Sequence, residues 1–421
     1  MNVPQEIANI IVDPNAYAEG QPADDAFVWL RRHAPFAKVQ PDGYDPIWVV
    51  THHADILGLE LRNDLFANGL RQPILTTQDV LRAREASGFT GARTLVQMDP
   101  PEHGEFRRLT QSWFMPKNLK SLESQIRQLA KQSVDHMASL GGRCDFARDV
   151  ALLYPLRVIM QILGVPQSDE PLMLKLTQEL FGARDPELSR GGQGAANPLA
   201  AQAHLQQTMA DLTAYFTELA HERRRNPTDD LATAIANGMP GGKLISIPDA
   251  IGYFIISATA GHDTTSSTTS AAVWALAERP QLLEQLRAEP EALKGHVEES
   301  VRWTTAVKHF MRTATTDVEF AGSQIRKGDW IMISYASGNR DEAVFEHPFE
   351  YDISRPPNRH VAFGYGAHVC LGQHLGRMEM RILWEELLPR LKSLELDGTP
   401  ARTRANFVCG PKSVPVRYQF Y

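Results

Sequence analysis

Apolar residues recur at helical spacing through residues 119–140, 200–225, 249–277 and 371–391, and each stretch predicts a helix with a buried face. Shorter β-branched and aromatic runs at 47–51, 318–320, 330–334 and 414–418 predict strands; Gly322 and the Lys327-Gly328-Asp329 turn punctuate them. The pattern therefore predicts a mainly α fold with small β-sheets. Between Arg340 and Gly372 both periodicities lapse while Pro, Gly, Asn and Asp accumulate. Irregular segments of that length in compact proteins usually carry function. The Gly/Ala-rich stretch from Arg190 to Ala203 reads as a flexible connection, either a plain surface loop or a lid.

Composition narrows the class. Hydrophobic residues make up 43% and charged residues 22%, which is ordinary globular usage and excludes disordered, collagen-like and disulfide-scaffold chains. A formal charge of −7 argues against nucleic-acid binding, which needs a basic face. Three cysteines, Cys144, Cys370 and Cys409, make a poor disulfide framework and fit a reducing compartment. The N-terminus lacks the basic-then-apolar pattern of a secretory signal. The most apolar stretch, 250–260, is broken by Gly252 and Ser257 and falls short of the roughly 20 residues that span a bilayer. A soluble, cytoplasmic protein is expected. At 421 residues the usual prior is two or three domains, unless one compact unit forms around a cofactor.

The irregular segment ends in Phe363-Gly-Tyr-Gly-Ala-His-Val-Cys370-Leu-Gly372, ahead of an amphipathic helical pattern. At the start of a helix, free backbone N–H groups and the helix dipole favour a thiolate. Gly364, Gly366 and Gly372 let backbone approach a flat ligand closely. Zinc would need further Cys or His ligands at finger-like spacing, which His368 and Cys370 alone do not supply. The whole pattern FxxGxHxCxG resembles the haem-ligand loop of the cytochrome P450 family. That resemblance implies a single domain over 1–421, a triangular helical prism enclosing haem b (iron protoporphyrin IX), and Cys370 as the proximal thiolate on the iron.

Other positions of the family pattern occur in order, from about Asp45 to the C-terminus. Ala260-Gly-His-Asp263-Thr264-Thr265 resembles the acid-alcohol segment of the family's distal helix, where a hydroxyl and a nearby carboxylate supply the two protons that oxygen activation consumes. Gly261 and the surrounding Thr and Ser residues weaken regular helix bonding and favour a groove. Glu299-Ser-Val-Arg302 matches the family's ExxR, whose i, i+3 spacing puts both side chains on one helix face, with Arg355 as the implied third, structural partner. Haem brings two propionates, and buried carboxylates need paired donors. The resemblance assigns that task to His103 and Arg107, four apart on one helix face, and to Arg312 and His368. Arg108, adjacent in sequence, points about 100° away on an ideal helix.

Stretches such as EPLMLKLTQELFG, ATAGHDTTSS and NFVCGPKSVPVR are most similar to the bacterial α-terpineol hydroxylase group. That likeness implies a small hydrophobic substrate, a monoterpenoid or an aromatic hydrocarbon. By similarity its pocket would include Phe89, Leu95, Val96, Thr259, Ala260, Ala306, Val307, Phe407 and Val408, a set that orients by shape rather than charge. Three cysteines cannot hold a four-cysteine iron–sulfur cluster, so electrons must come from outside. A [2Fe–2S] ferredoxin with an NAD(P)H-dependent reductase is implied, docking on Arg108, Lys117, Lys120 and Arg377. The expected protein is a monomeric monooxygenase inserting one atom of O2 into a C–H bond. A peroxide-driven haem enzyme and a non-catalytic haem-binding protein remain as alternatives; the Asp263-Thr264 pair speaks against both.

Overall fold

The computed structural model describes residues 2–88, 91–190, 192 and 198–421. Among the described residues helices dominate, and four small sheets accompany them. The 119–140 pattern forms the helix Pro116–Ser139, which opens on a proline where no N–H is needed and buries Leu119, Ile126, Ala130, Val134 and Met137. That stripe packs on the helix Gln373–Leu387, the product of the 371–391 pattern. Across the seam Arg127 pairs with Glu385 at 2.5 Å and Glu386 at 2.9 Å, and Arg381 with Glu123 at 2.9 Å.

The 249–277 pattern, expected as one helix, forms two: Ile247–Ala260 and Asp263–Ala277. The first is capped by Ser246, which accepts from the Asp249 N–H. The break falls at Gly261 and His262, and its cause is side-chain competition for backbone partners. The buried His262 ring is anchored by the Thr177 hydroxyl at 3.0 Å and the Leu152 carbonyl at 2.7 Å. Just beyond it, Thr264 donates its hydroxyl to the Ala260 carbonyl at 2.8 Å, the side-chain back-bonding that loosens helices. The 200–225 pattern lies in the helix Pro198–Arg225. The connection expected over 190–203 is therefore helical from 198 onward, and its residues 191 and 193–197 lie outside the described residues.

The largest sheet runs Phe36–Val39, Ile47–Val50, Trp330–Ser334, His309–Ala314 and Phe66–Ala67 in spatial order. Its middle strand, Trp330–Ser334, is buried at every position, which explains its unbroken apolar run. It pairs in parallel with Ile47–Val50, far away in sequence, and antiparallel with His309–Ala314. Pro415–Phe420, from the 414–418 pattern, sits between Arg143–Asp145 and Leu391–Leu396 in a second sheet. From Asn339 to Gly372 the chain is irregular apart from the short turn Gly366–His368.

Candidate active site

The cysteine loop is shaped by its glycines. Gly364 and Gly366 adopt φ of +67° and +65°, and a Cβ at Gly366 would lie 2.5 Å from the Glu60 carbonyl oxygen, so only glycine fits there. The loop closes where the Cys370 N–H donates to the Phe363 carbonyl at 2.8 Å. Of the three cysteines Cys370 alone is exposed; Cys144 is half-buried and Cys409 is buried. The helix after the loop starts at Gln373, slightly later than the sequence pattern suggests. Burial pushes the Cys370 thiol up, and the Gly372 N–H with the Arg107 and Arg377 guanidiniums pulls it only part of the way back. A bound metal cation would favour the deprotonated sulfur.

Four nitrogen-bearing side chains gather at the cysteine loop. His103 and Arg107 project from the helix Glu102–Gln111, and Arg312 from the strand His309–Ala314. The His103 and His368 rings are 4.0 Å apart, and Arg107 donates to the Val369 carbonyl at 2.8 Å. Burial, reinforced by Arg107, brings His103 down to about 4. Burial, reinforced by Arg312, His103 and Arg107, brings His368 down to about 2. The cluster thus holds two neutral imidazoles and two guanidiniums around an accessible thiol. Its chemistry fits a flat ligand that brings two carboxylates and a thiolate-seeking metal, as haem does.

Sequence reasoning missed the residues that orient these donors. Arg312 is 3.2 Å from the buried Glu60, whose Oε1 also accepts from the Tyr335 hydroxyl at 2.6 Å, while Oε2 has no side-chain hydrogen bond among the described residues. Burial raises Glu60, and Arg312 and Tyr335 oppose that rise. Asn68 places its amide nitrogen 2.9 Å from His368 Nε2 and its backbone N–H 2.8 Å from Asp99 Oδ1. Neither Glu60 nor Asn68 belongs to any motif; an acid in the apolar stripe of residues 53–60 is the only faint signal.

Asp263 and Thr264 occupy the first turn of the helix Asp263–Ala277, just after the break. Ala260 and Thr264, which flank the break, are both accessible. Among the described residues Asp263 Oδ2 is buried without a hydrogen-bond partner, 3.6 Å from His262 Nδ1. Burial pushes the Asp263 carboxyl up, and His262 only partly offsets it. The same helix meets the helix of the cysteine loop: a Cβ at Gly376 would touch Thr265 Oγ1 at 3.7 Å.

Glu299, Arg302 and Arg355 form one buried cluster. Arg302 grips Glu299 with bonds of 2.8 and 2.6 Å and donates to the carbonyls of Asn339, Pro348 and Glu350. Arg355 Nε lies 3.4 Å from Glu299, and its other nitrogens bind the carbonyls of Glu346, His347 and Glu350. Glu299 also accepts from the Asp352 N–H and the Asn358 amide. The charges are thus paired, and irregular backbone gains buried partners.

Among the pocket candidates, Phe89 lies outside the described residues. Ala306–Val307 and Phe407–Val408 meet: Val307 bridges Val408, and Lys308 N–H donates to the Phe407 carbonyl at 2.8 Å. Leu95 is buried, and Val96 is half-buried in the same short turn. Thr259 is buried with its hydroxyl on the Ile255 carbonyl at 2.8 Å, and Val408 lines a cavity together with Asp263. Of the docking candidates, Arg108, Lys117 and Lys120 are exposed. Arg377 is instead held by Glu298 at 2.6 Å and lies over the Phe363 ring at 4.4 Å. Among the described residues no helix is long and apolar enough to cross a membrane.

The cytochrome P450 family model matches residues 81–417. Cytochrome P450-terp of a Pseudomonas species is 43% identical over 99% of this chain and 98% of its own length. Linalool 8-monooxygenase of Pseudomonas putida is 31% identical over 96% of this chain and 97% of its own. The crystal structure of CYP108D1 from Novosphingobium aromaticivorans superposes with a TM-score of 0.90 at 44% identity, covering 100% of this chain and 99% of that one. Matched by that family model over most of its length and by such relatives end to end, the chain belongs to the cytochrome P450 family of haem-thiolate monooxygenases.

Proposed function

We propose that this monooxygenase hydroxylates a small hydrophobic substrate, a monoterpenoid or an aromatic hydrocarbon, as a monomeric, single-domain cytoplasmic enzyme served by a [2Fe–2S] ferredoxin and an NAD(P)H-dependent reductase. The observation that carries the substrate class is the likeness to cytochrome P450-terp along 99% of the chain. The uncharged set of pocket candidates supports it, since such walls select by shape and area.

Haem supplies the oxygen chemistry: one atom of O2 enters a C–H bond and the other leaves as water, with two electrons and two protons consumed. Cys370 would hold the iron through its sulfur. His103, Arg107, Arg312 and His368 would bind the two propionates, and Glu60 with Tyr335 keeps Arg312 in place. Thr264 holds a hydroxyl proton at the accessible face of its helix, and Asp263, whose carboxyl burial pushes up, resupplies it. Glu299, Arg302 and Arg355 fix the path of the segment leading to Cys370. Arg108, Lys117 and Lys120 supply a basic docking patch for an acidic ferredoxin, with Arg377 lending charge while tied to Glu298.

The test is a titration of the haem-loaded protein with a panel of terpenoids and alkylaromatics, read by the low-spin to high-spin change of the Soret band. Tight, saturable shifts with monoterpenoids or alkylaromatics are expected. Shifts only with steroids or long-chain acids would overturn the substrate class.

A further inference from the structure

The Glu60 carboxyl, at the end of the helix His53–Glu60, is enclosed by three other elements. Arg312 Nη2, from the strand His309–Ala314, lies 3.2 Å from its Oε1, and the Tyr335 hydroxyl, from the short helix Tyr335–Gly338, donates to the same oxygen at 2.6 Å. The cysteine loop closes the third side: a Cβ at Gly364 would lie 3.5 Å from Oε1 and 3.8 Å from Oε2. Side-chain exposure is 1% at Glu60 and 3% at Arg312, so water scarcely screens the pair. Among the described residues no other carboxylate comes within ion-pair distance of Arg312.

The guanidinium assigned to a propionate is thus already engaged by a buried acid. With a propionate on Arg312, two carboxylates face one cation, and like charges that share a site raise the proton affinity of one of them. Such a pair titrates as a unit. Burial already raises Glu60, against the pull of Arg312, Tyr335 and the Tyr365 N–H. The other ionisable groups there do not compete for the proton. Tyr335 is pushed far up by burial and stays a phenol, and burial brings His103 and His368 down to about 4 and about 2. Arg62 and Asp64, just past the helix end, pair with each other at 3.1 Å on the surface.

We infer that Glu60 is a positioning residue that ties haem reduction to proton uptake: it shares Arg312 with a propionate, and the two carboxylates hold one proton between them, more firmly when the iron has gained an electron. The inference rests on Arg312 serving a propionate. An added electron makes the site more negative by one charge, and in a buried setting a carboxylate pair answers by binding a proton. For each electron delivered by the ferredoxin, up to one solvent proton joins the pair as an O–H. No other bond forms or breaks.

The test is the reduction potential of the haem-loaded protein, measured as pH is stepped upward from about 4.3, the ordinary value of a glutamate. The pair loses its proton as pH rises, so the potential should fall, by up to about 59 mV per pH unit, which is a tenfold change for a one-electron couple. Glu60→Gln, which keeps the size of the side chain and cannot ionise, should flatten that slope at least about twofold. Tyr335→Phe, which removes a donor from the charged form, should move the sloping range to higher pH; an unmoved range counts against the inference. A Glu60→Gln protein with the wild-type slope overturns it, and if Arg312→Gln still lowers the potential or loses haem, the propionate reading stands. Unchanged potential and haem content in Arg312→Gln would remove that reading as well. In reduced-minus-oxidised infrared spectra the band of a protonated carboxyl should appear in the wild type and vanish in Glu60→Gln. A band that survives the substitution would put the proton on the propionate alone and overturn the part assigned to Glu60.

Discussion

Single side chains at this site are defined by what surrounds them more than by their type. Cys370 and Cys409 are both pushed up by burial, yet Cys409 points its sulfur at the Thr403 carbonyl, 3.2 Å away, and Cys370 alone is accessible. Thr264→Ala should keep haem and substrate binding but divert reducing equivalents into hydrogen peroxide, because the hydroxyl proposed to supply the proton is gone. Peroxide yield per NADH measures this, and unchanged coupling to product would remove Thr264 from the mechanism. Gly366→Ala should fail to load haem, since its Cβ would strike the Glu60 carbonyl at 2.5 Å and its φ is +65°. Haem content after reconstitution is the readout. The motif residues were legible because their spacing is itself the signal. Glu60, Tyr335 and Asn68 were not, because their partners Arg312, Glu60 and His368 lie hundreds of residues away and no local pattern marks them.

Helices and strands followed their periodicity wherever burial alone decides, as in Pro116–Ser139 and the fully buried Trp330–Ser334. Periodicity failed at the break between Ala260 and Asp263, where the apolar pattern continues while His262 and Thr264 take backbone partners of their own. The irregular segment depends on the Glu299–Arg302–Arg355 cluster rather than on regular hydrogen bonds. Arg302→Ala should therefore cost about 3–5 kcal/mol, the usual effect of leaving a buried charge unpaired, where an exposed pair at the same spacing would cost tenths. Chemical denaturation of the haem-loaded protein measures it; a cost below about 1 kcal/mol would show that the segment holds itself.

Across the whole molecule, buried histidines set the acid limit. Burial brings His296 down to about 3 and His309 to about 4. The unfolded chain binds their protons below about pH 6.5, while the folded protein refuses them until pH 3–4, so stability falls as pH drops through that window. Replacing His296, packed against Trp384 and Tyr351, with Phe should flatten the stability–pH slope there by up to about 1.4 kcal/mol per pH unit. Denaturation curves at stepped pH check it, and an unchanged slope would place the acid sensitivity elsewhere. At this same scale the irregular stretch, the donor cluster and the broken helix, far apart in sequence, are the parts on which the proposed haem site draws. The most direct measurement is the spectrum of the reduced, carbon-monoxide-treated protein. A red-shifted Soret band of thiolate-ligated haem is predicted, lost in Cys370→Ser; a Cys370→Ser protein that keeps the band would contradict the assignment of the iron ligand.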